Sequence, residues 1–286
     1  MPVLYSYTAM IPSLPPSTGP IGVFDSGYGG LTILDKIRGL MPEYDYIYLG
    51  DSARCPYGPR SFEVVYEFTL QAVSKLFELG CPLVILACNT ASAKALRTIQ
   101  QINLPVIDAT RRVLGVIRPT AECIGEITRS RHVGILATAG TIKSESYLLE
   151  IHKLSPDIVV TGEACPMWVS LVENNEYQSE GADYFVKQHI NRLLDKDPMI
   201  DTIILGCTHY PLLLDKIRQF TPGHIRIIAQ GEYVARSLQD YLNRHPEMDA
   251  RCEKGGKCRF LTTESENKFE ESASIFLGRQ DIKVES

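Results

Sequence analysis

The sequence of 286 residues predicts an α/β fold with two pseudo-symmetric, doubly wound domains, mainly parallel sheets and an active site in the cleft between the domains. Short apolar runs alternate with segments of helical periodicity, which is the pattern of α/β proteins. Residues 83–87 form a continuous apolar run, as expected of a strand buried on both faces of a parallel sheet. The second half of the chain also resembles the first, and at roughly 150 residues per domain the length favours two domains.

The elements of the first half follow from hydrophobic periodicity and from the positions of glycine and proline. The first strand ends at Asp25, and a turn with three glycines separates it from the next helix. Gly80 closes a later helix whose apolar residues recur at the helical period. In chain order we predict a strand at 21–24, a helix at 31–40, a strand at 46–49, a loop at 50–60, a helix at 61–79 and a strand at 83–87.

Two segments of the second half repeat segments of the first half. Residues 133–139 resemble residues 21–27, and residues 202–209 resemble residues 83–90. A duplication of this kind places equivalent strand ends on opposite sides of one cleft. We therefore predict a flexible tail at 1–20, a first domain formed by 21–110 with 231–286, and a second domain formed by 111–230.

Composition excludes several classes of function. The chain has 29 Lys and Arg against 34 Asp and Glu, a net charge of −5, and no basic block, which argues against binding to nucleic acid or to a membrane surface. No apolar run approaches the roughly 20 residues of a membrane span. The proline-rich N-terminus lacks the basic start and the apolar region of a signal peptide, so we expect a cytoplasmic protein whose eight cysteines are free thiols.

Two of the cysteines occupy equivalent positions. Cys88 and Cys207 each follow an apolar strand and precede a helical segment, with Asn89, Thr90 and Thr208 as candidate helix caps. Ligands of parallel sheets bind at the carboxyl ends of strands, and a helix N-terminus is expected to lower the pKa of a thiol from about 8.5. A lone cysteine after a strand is more often a packing residue, but the duplication favours a function for this pair.

Several roles are open to two facing thiols. The expected reducing compartment disfavours a disulfide, and the Cys-x-x-Cys spacing of thiol-exchange enzymes is absent around both cysteines. A single nucleophile would need one cysteine and a base. Two equivalent thiols fit a two-base proton transfer that inverts a stereocentre, which requires no nucleotide, metal or pyridoxal cofactor. We therefore predict neither a cofactor nor a metal.

Two further residues near the cysteines have both a functional and a structural interpretation. Asp25 could assist a thiol or cap the turn that follows it. His209, two residues after Cys207, could hold a proton or make only a structural hydrogen bond. The glycine-rich turn after Asp25 offers backbone N–H groups that suit a carboxylate.

Four motifs together resemble the glutamate racemases, over residues 21 to about 242. They are Asp25-Ser26-Gly27-x-Gly29-Gly30, Asp51-x-Ala53-Arg54-x-Pro56-Tyr57-Gly58, Ala87-Cys88-Asn89-Thr90-Ala91-Ser92 and Gly206-Cys207-Thr208-His209-Tyr210-Pro211. The resemblance implies a cofactor-independent 1,1-proton transfer that interconverts L- and D-glutamate and supplies D-glutamate for peptidoglycan. It also implies that Cys88 deprotonates D-glutamate and that Cys207 deprotonates L-glutamate.

The resemblance assigns further roles by position. Asp25 and His209 support catalysis, and Glu173 resembles the assisting acid near Cys207, although Ser170 and Asn174 beside it depart from the family pattern. The implied substrate contacts are Asp25, Ser26, Tyr57, Gly58, Asn89, Thr90, Thr138, Thr141, Thr208 and His209. Many family members are dimers, so a homodimer is one expected state.

Alternatives stay open at this point. One is a racemase of the same two-thiol plan that acts on aspartate or another small acid, and another is a binding module without turnover. The sequence Cys-Thr-His-Tyr-Pro at 207–211 favours glutamate as the substrate. The remaining cysteines have structural interpretations: Cys55 in a variable loop position, Cys81, Cys123 and Cys165 in packing, and Cys252 and Cys258 at the ends of a hairpin turn. Residues 272–277 are expected to form a final helix or strand that covers the first domain or an oligomer contact.

Overall fold

The computed structural model describes residues 18–278 of the chain. In this part, helices surround two parallel sheets. The strands, in chain order, are β1 Ile21–Asp25, β2 Tyr46–Gly50, β3 Leu83–Leu86, β4 Arg112–Gly115, β5 His132–Ala137, β6 Val159–Ala164, β7 Thr202–Gly206, β8 Arg226–Ala229 and β9 Cys258–Thr262. The first sheet has the order β4-β3-β1-β2-β9 and the second β6-β5-β7-β8, and all their strand pairs are parallel. The predicted α/β class is confirmed.

Helices connect the strands and cover both sheets. They are α1 Leu31–Leu40, α2 Phe62–Glu78, α3 Asn89–Lys94, α4 Leu96–Thr98, α5 Leu104–Ile107, α6 Ile117–Ile127, α7 Ala139–Lys143, α8 Ser146–Leu154, α9 Trp168–Glu173, α10 Glu180–Lys196, α11 Leu214–Phe220, α12 Gly231–Arg244, α13 Pro246–Asp249 and α14 Glu266–Leu277. Short 3-10 helices lie at Ser52–Arg54 and Tyr210–Leu213, and a π-helical turn lies at Ile99–Asn103.

The two sheets repeat one strand order. Read from one edge, β4-β3-β1-β2 of the first sheet corresponds to β8-β7-β5-β6 of the second, with β9 added beyond β2. The central strands β1, β3 and β7 are buried along their whole length, and β5 is buried after its first residue. This arrangement explains their continuous apolar sequence, because helices cover both faces of the sheet.

The helix α2 illustrates how local sequence sets element boundaries. The hydroxyl of Ser61 accepts a hydrogen bond from the backbone N–H of Val64 and so caps the first turn. Val65, Val73 and Leu76 form its buried face. Gly80, with a φ of +92°, follows the helix in a conformation that side chains with a Cβ rarely adopt, and so the chain turns there towards β3.

Strand pairing corrects two details of the predicted boundaries. The strand β4 pairs with β3 in the first sheet, although the predicted boundary assigned residues from 111 onward to the second domain. Gly19, placed in the predicted tail, pairs with Cys252 and exchanges backbone hydrogen bonds with the segment 251–253. Residues 1–17 of that tail lie outside the described residues. The division into two domains otherwise stays a prediction.

The segment between Cys252 and Cys258 does not form the predicted hairpin. Cys258 begins β9, which runs parallel to β2, and Cys252 pairs with Gly19 instead of with β9. The carboxylate of Asp45 accepts hydrogen bonds from the backbone N–H groups of Gly255 and Lys257, which holds the connecting loop against the start of β2. The chain therefore crosses over the sheet edge here and does not reverse.

The last described helix, α14, packs on the first sheet, which confirms a helix as the form of the final segment. Phe269 is fully buried and lies 5.6 to 6.4 Å, between ring centroids, from Tyr28, Tyr48 and Phe260. Within the described residues, no helix is long and apolar enough to cross a membrane.

Phe269 is expected to be an important anchor of α14. Replacing it with alanine should lower the free energy of unfolding by about 3–5 kcal/mol, because a fully buried ring is lost and a cavity remains. Ile275 lies on the same helix and is 39% exposed, so Ile275→Ala should cost less than about 1 kcal/mol. Urea unfolding followed by circular dichroism measures both values. Equal losses for the two variants would contradict this account of α14.

Candidate active site

The carboxyl ends of the central strands surround a small cavity of about 20 Å³ between the two sheets. Cys88 lines it from the end of β3 and Cys207 from the end of β7. The other lining residues are Ser26, Cys55, Pro56, Tyr57, Gly58, Asn89, Thr90, Thr138, Val169, Thr208 and His209. Of the predicted site residues, Asp25, Thr141 and Glu173 do not line the cavity but contact residues that do.

Cys88 is itself the N-cap of α3, in place of the predicted Asn89 or Thr90. Its sulfur accepts a hydrogen bond from the N–H of Ala91 at 3.5 Å, and its thiol donates to the hydroxyl of Ser26 at 3.3 Å. Burial raises the pKa of the Cys88 thiol to about 12, the nearby carboxylate of Asp25 adding to this effect. The expected lowering of this pKa is therefore wrong, because the hydrogen bonds from Ala91 and to Ser26 do not offset the loss of water.

Asp25 lies between the two halves of the site. Its carboxylate accepts hydrogen bonds from the N–H of Gly27 at 3.0 Å and from the hydroxyl of Thr208 at 3.4 Å. Burial raises the pKa of Asp25, and this outweighs the opposite effect of His209. The glycine turn permits the close approach: a Cβ on Gly30 would lie 2.4 Å from the Cβ of Asp25, and one on Gly29 would lie 2.4 Å from the hydroxyl of Thr208.

A hydrogen-bonded chain extends from Cys207 through His209 to Glu173. The Nδ1 atom of His209 lies 3.8 Å from the sulfur of Cys207, and its Nε2 atom lies 2.9 Å from Oε1 of Glu173. Burial alone would lower the pKa of His209, but its contacts with Cys207 and Glu173 raise that pKa well above the usual value. Burial opposes ionisation of Glu173, yet the bonds from His209 and Cys55 bring its pKa below the usual value. An imidazolium–carboxylate pair thus stands beside Cys207.

Cys55 is a site residue that the sequence analysis assigned no function. Its thiol donates a hydrogen bond to Oε1 of Glu173 at 2.9 Å, across the cleft from the loop after β2 to the end of α9. The sequence feature that could have pointed to Cys55 is its position next to Pro56 in the second motif. Cys55, Glu173 and His209 also form the one group in residues 18–278 whose ligand atoms are close enough to hold a metal ion, all within 4.8 Å. Their hydrogen bonds already account for this arrangement.

Asn89 lines the cavity, but both polar atoms of its side chain are engaged elsewhere. Its amide nitrogen donates to Gln230 at 2.7 Å, and its oxygen accepts from the hydroxyl of Tyr147 at 2.7 Å. Gln230 in turn donates to Tyr147 and to the backbone oxygen of Val116. Gln230 and Tyr147, which the sequence analysis missed, therefore fix the orientation of Asn89.

The threonines of the two sheets meet at the cavity wall. The hydroxyls of Thr90 and Thr138 lie 2.9 Å apart, and that of Thr141 lies 3.1 Å from Thr138. Thr138 caps α7, and the backbone N–H of Gly140 donates to the oxygen of Gly58 at 3.0 Å. These contacts bring hydroxyl groups from both sheets to one side of the cavity.

Tyr57 lines the cavity and is almost fully buried. Its hydroxyl donates a short hydrogen bond to the buried carboxylate of Asp51, which is also paired with Arg54 at 2.6 Å. Burial and Asp51 raise the pKa of Tyr57 far above its usual value. These contacts of Asp51 with Tyr57 and Arg54 thus hold the loop 51–58 at the cavity.

Comparisons with known proteins agree with this architecture. The family model for Asp/Glu/hydantoin racemases matches residues 32–238. A glutamate racemase of a Ruegeria species is 38% identical over 270 residues, covering 91% of this chain and 97% of that protein. The crystal structure of a glutamate racemase isoform of Bacillus anthracis aligns with a TM-score of 0.84 and 36% identity, covering 93% of this chain and 96% of that one.

A second solved structure extends the comparison to a ligand complex. The glutamate racemase of Francisella tularensis in complex with D-glutamate aligns with a TM-score of 0.80 and 31% identity, covering 94% of this chain and 95% of that one. The family model and these relatives together show that the chain belongs to the Asp/Glu/hydantoin racemase family and is a racemase, an isomerase, as the motifs of its sequence indicated.

Proposed function

We propose that this protein interconverts L- and D-glutamate by a cofactor-independent 1,1-proton transfer in which Cys88 and Cys207 are the two bases, and that it supplies D-glutamate for peptidoglycan. The observation that carries the mechanism is one small cavity lined by a thiol from each sheet. The names of the relatives and the D-glutamate complex of the Francisella tularensis enzyme support glutamate as the substrate.

The two-base transfer balances protons within one turnover. With L-glutamate, the thiolate of Cys207 removes the Cα proton, and the thiol of Cys88 delivers a proton to the opposite face of the carbanion. With D-glutamate the roles reverse, so the sulfur that accepted a proton becomes the donor for the next substrate of the other hand. The raised pKa of Cys88 suits the role of proton donor, because its thiol keeps its proton at neutral pH.

Each base has its own supporting group. Asp25 lies close to Cys88 and is held by Gly27 and Thr208, from where it can assist proton movement on that side. On the other side His209, paired with Glu173, lies 3.8 Å from the sulfur of Cys207 and can assist its proton transfer. The site thus uses different electrostatic means for two equivalent thiols.

Uncharged groups around the cavity are proposed to bind the substrate. The hydroxyls of Ser26, Thr90, Thr138 and Thr208 and the backbone near Asn89 can donate hydrogen bonds to the carboxylates and stabilise the carbanion. Tyr57 and Gly58 shape the wall, and Thr141 orients Thr138. Asn89 contributes through its backbone and position, since its side-chain amide is engaged by Gln230 and Tyr147.

A reducing compartment fits this mechanism. Neither Cys88 nor Cys207 is joined in a disulfide, and both proposed bases need their thiol forms. We therefore propose that the enzyme works in the cytoplasm. We also propose a homodimer, on the basis of its resemblance to the family, and sedimentation equilibrium at micromolar concentration tests this state.

The substrate assignment is tested with the unmodified enzyme. Circular dichroism follows the loss of optical activity from L-glutamate, D-glutamate and L-aspartate at equal concentrations. Both enantiomers of glutamate should reach the same racemic end point, and aspartate should react far more slowly. Racemisation of aspartate in preference to glutamate, or no reaction with any of the three, would contradict the proposed function.

Replacing either thiol should stop racemisation in both directions. Cys88→Ala and Cys207→Ala should each lower kcat/KM by at least about 100-fold with both enantiomers, because every turnover needs one base and one acid. Cys123→Ala is the matched control, since this thiol lies on α6 and donates only to backbone oxygens there. Full activity in either variant would show that a single base is sufficient.

The pH profile should depend on Glu173. The raised pKa of His209 means that kcat/KM should fall at alkaline pH as the imidazolium loses its proton. Glu173→Gln removes a carboxylate that raises this pKa, so the alkaline limb should move to lower pH. Glu163→Gln alters the other buried carboxylate–histidine pair, formed with His189 at 2.7 Å, and should leave the limb in place. An unmoved limb in Glu173→Gln would contradict the role of the pair.

A further inference from the structure

We propose that Cys55 is a positioning residue for this reaction, whose thiol holds the Glu173 carboxylate in place beside His209 while the two sheets face each other closely. The inference rests on the proposed function, because Glu173 acts through His209 on Cys207. It concerns a residue for which the sequence analysis gave only a variable loop position.

The geometry begins with one shared oxygen. The thiol of Cys55 donates to Oε1 of Glu173 at 2.9 Å, and the same oxygen lies 2.9 Å from Nε2 of His209. A carboxylate oxygen has two lone pairs and can accept both bonds. The two donors together fix the direction of the carboxylate, which sits at the last residue of α9 with 19% of its side chain exposed.

Cys55 acts here as a donor and not as a nucleophile. Burial raises the pKa of its thiol well above the usual value, and the Glu173 carboxylate beside it raises that pKa further, so the sulfur keeps its proton. The space around the bond is limited: a Cβ on Gly27 would lie 3.0 Å from this sulfur and 3.1 Å from Oε1 of Glu173. A serine hydroxyl can replace the thiol in this space, whereas alanine leaves the oxygen with one donor fewer.

The bond joins groups that belong to different sheets. Glu173 and His209 both lie on the side of the second sheet, so their bond does not depend on the cleft. Cys55 belongs to the loop after β2 of the first sheet, and its bond to Glu173 forms only when the loop approaches α9. The donors on Glu173 therefore come from both sides of the cleft, in the arrangement in which Cys88 and Cys207 line one cavity.

Other ionisable groups also face Glu173 and set the background for its charge. Asp25 ends β1 and Tyr28 lies in the loop before α1. His209 lies in the turn after β7, and Lys268 lies on α14. Lys268 lowers the pKa of Glu173 through space, as His209 does by direct contact. Cys55→Ala leaves each of these four groups in the protein, so their contribution to the charge of Glu173 is present in both the variant and the parent enzyme.

The test compares Cys55→Ala and Cys55→Ser in the full-length enzyme. Loss of the donor in Cys55→Ala should lower kcat/KM about tenfold, equally for L- and D-glutamate because the equilibrium between enantiomers is unchanged. The acid limb of the kcat/KM profile should move to higher pH, since Glu173 loses a bond that lowers its pKa. Cys55→Ser should restore kcat/KM to within about twofold of the parent enzyme and should return the acid limb to its original position.

Isotope effects separate positioning from simple packing. When the Cys207 step slows, the kinetic isotope effect from Cα-deuterated substrate should rise with L-glutamate, whose proton Cys207 removes, and fall with D-glutamate. Cys123→Ala, the control for removal of a partly buried thiol, should change neither value. Equal changes with both enantiomers, or a serine variant as impaired as the alanine variant, would overturn the proposal.

A measurement without substrate keeps this proposal distinct from the proposed function. The infrared S–H band in the difference spectrum between the parent enzyme and Cys55→Ala should lie at low frequency, and Glu173→Gln should shift it upward. A band at the frequency of a free thiol would overturn the bond and the proposal together. Failure of the parent enzyme to racemise glutamate would overturn the proposed function, while the band would still report on the bond.

Discussion

Burial of ionisable groups in the cleft between two parallel sheets is the constraint on which this site depends. A charge removed from water needs a partner, and each buried group here has one. Glu173 is paired with His209 and accepts from Cys55, and Asp25 accepts from Gly27 and Thr208. Burial raises the pKa values of Cys88 and Asp25 above their usual range. Beside Cys207, in contrast, the imidazolium of His209 pairs with the carboxylate of Glu173. The two halves of the cavity are therefore electrostatically unequal.

The two electrostatically unequal halves of the cavity lie on a backbone arrangement that is repeated. The strands β4-β3-β1-β2 and β8-β7-β5-β6 have the same order, so each sheet brings a cysteine to an equivalent strand end. The repeat aligns Asp25 with Ala137 and His209 with Thr90, so each half carries one charged residue that the other lacks. One symmetrical scaffold thus holds two thiols in different environments. The proposed reaction permits this difference, because it assigns each of the two mirror-image substrates to a different base.

The sequence was sufficient for the features that depend on local order along the chain. The continuous apolar strands, the glycine turns and the two equivalent cysteines all follow from neighbouring residues. The direction of the Cys88 pKa shift did not follow, because the balance between a helix terminus and burial is decided by tertiary packing. The roles of Cys55 and Gln230 were not predicted, since their partners lie 118 and 141 residues away, and the sheet to which β4 belongs is likewise set by long-range pairing.

In the proposed mechanism, protons leave and arrive through different groups on opposite faces of the substrate. Early in a reaction of L-glutamate in D₂O, mass spectrometry of the separated enantiomers tests it directly. Two bases predict D-glutamate that carries deuterium at Cα, beside remaining L-glutamate that still carries its original hydrogen. Equal deuterium in both enantiomers from the first time point, or D-glutamate that retains the hydrogen of the substrate, would contradict transfer between Cys88 and Cys207.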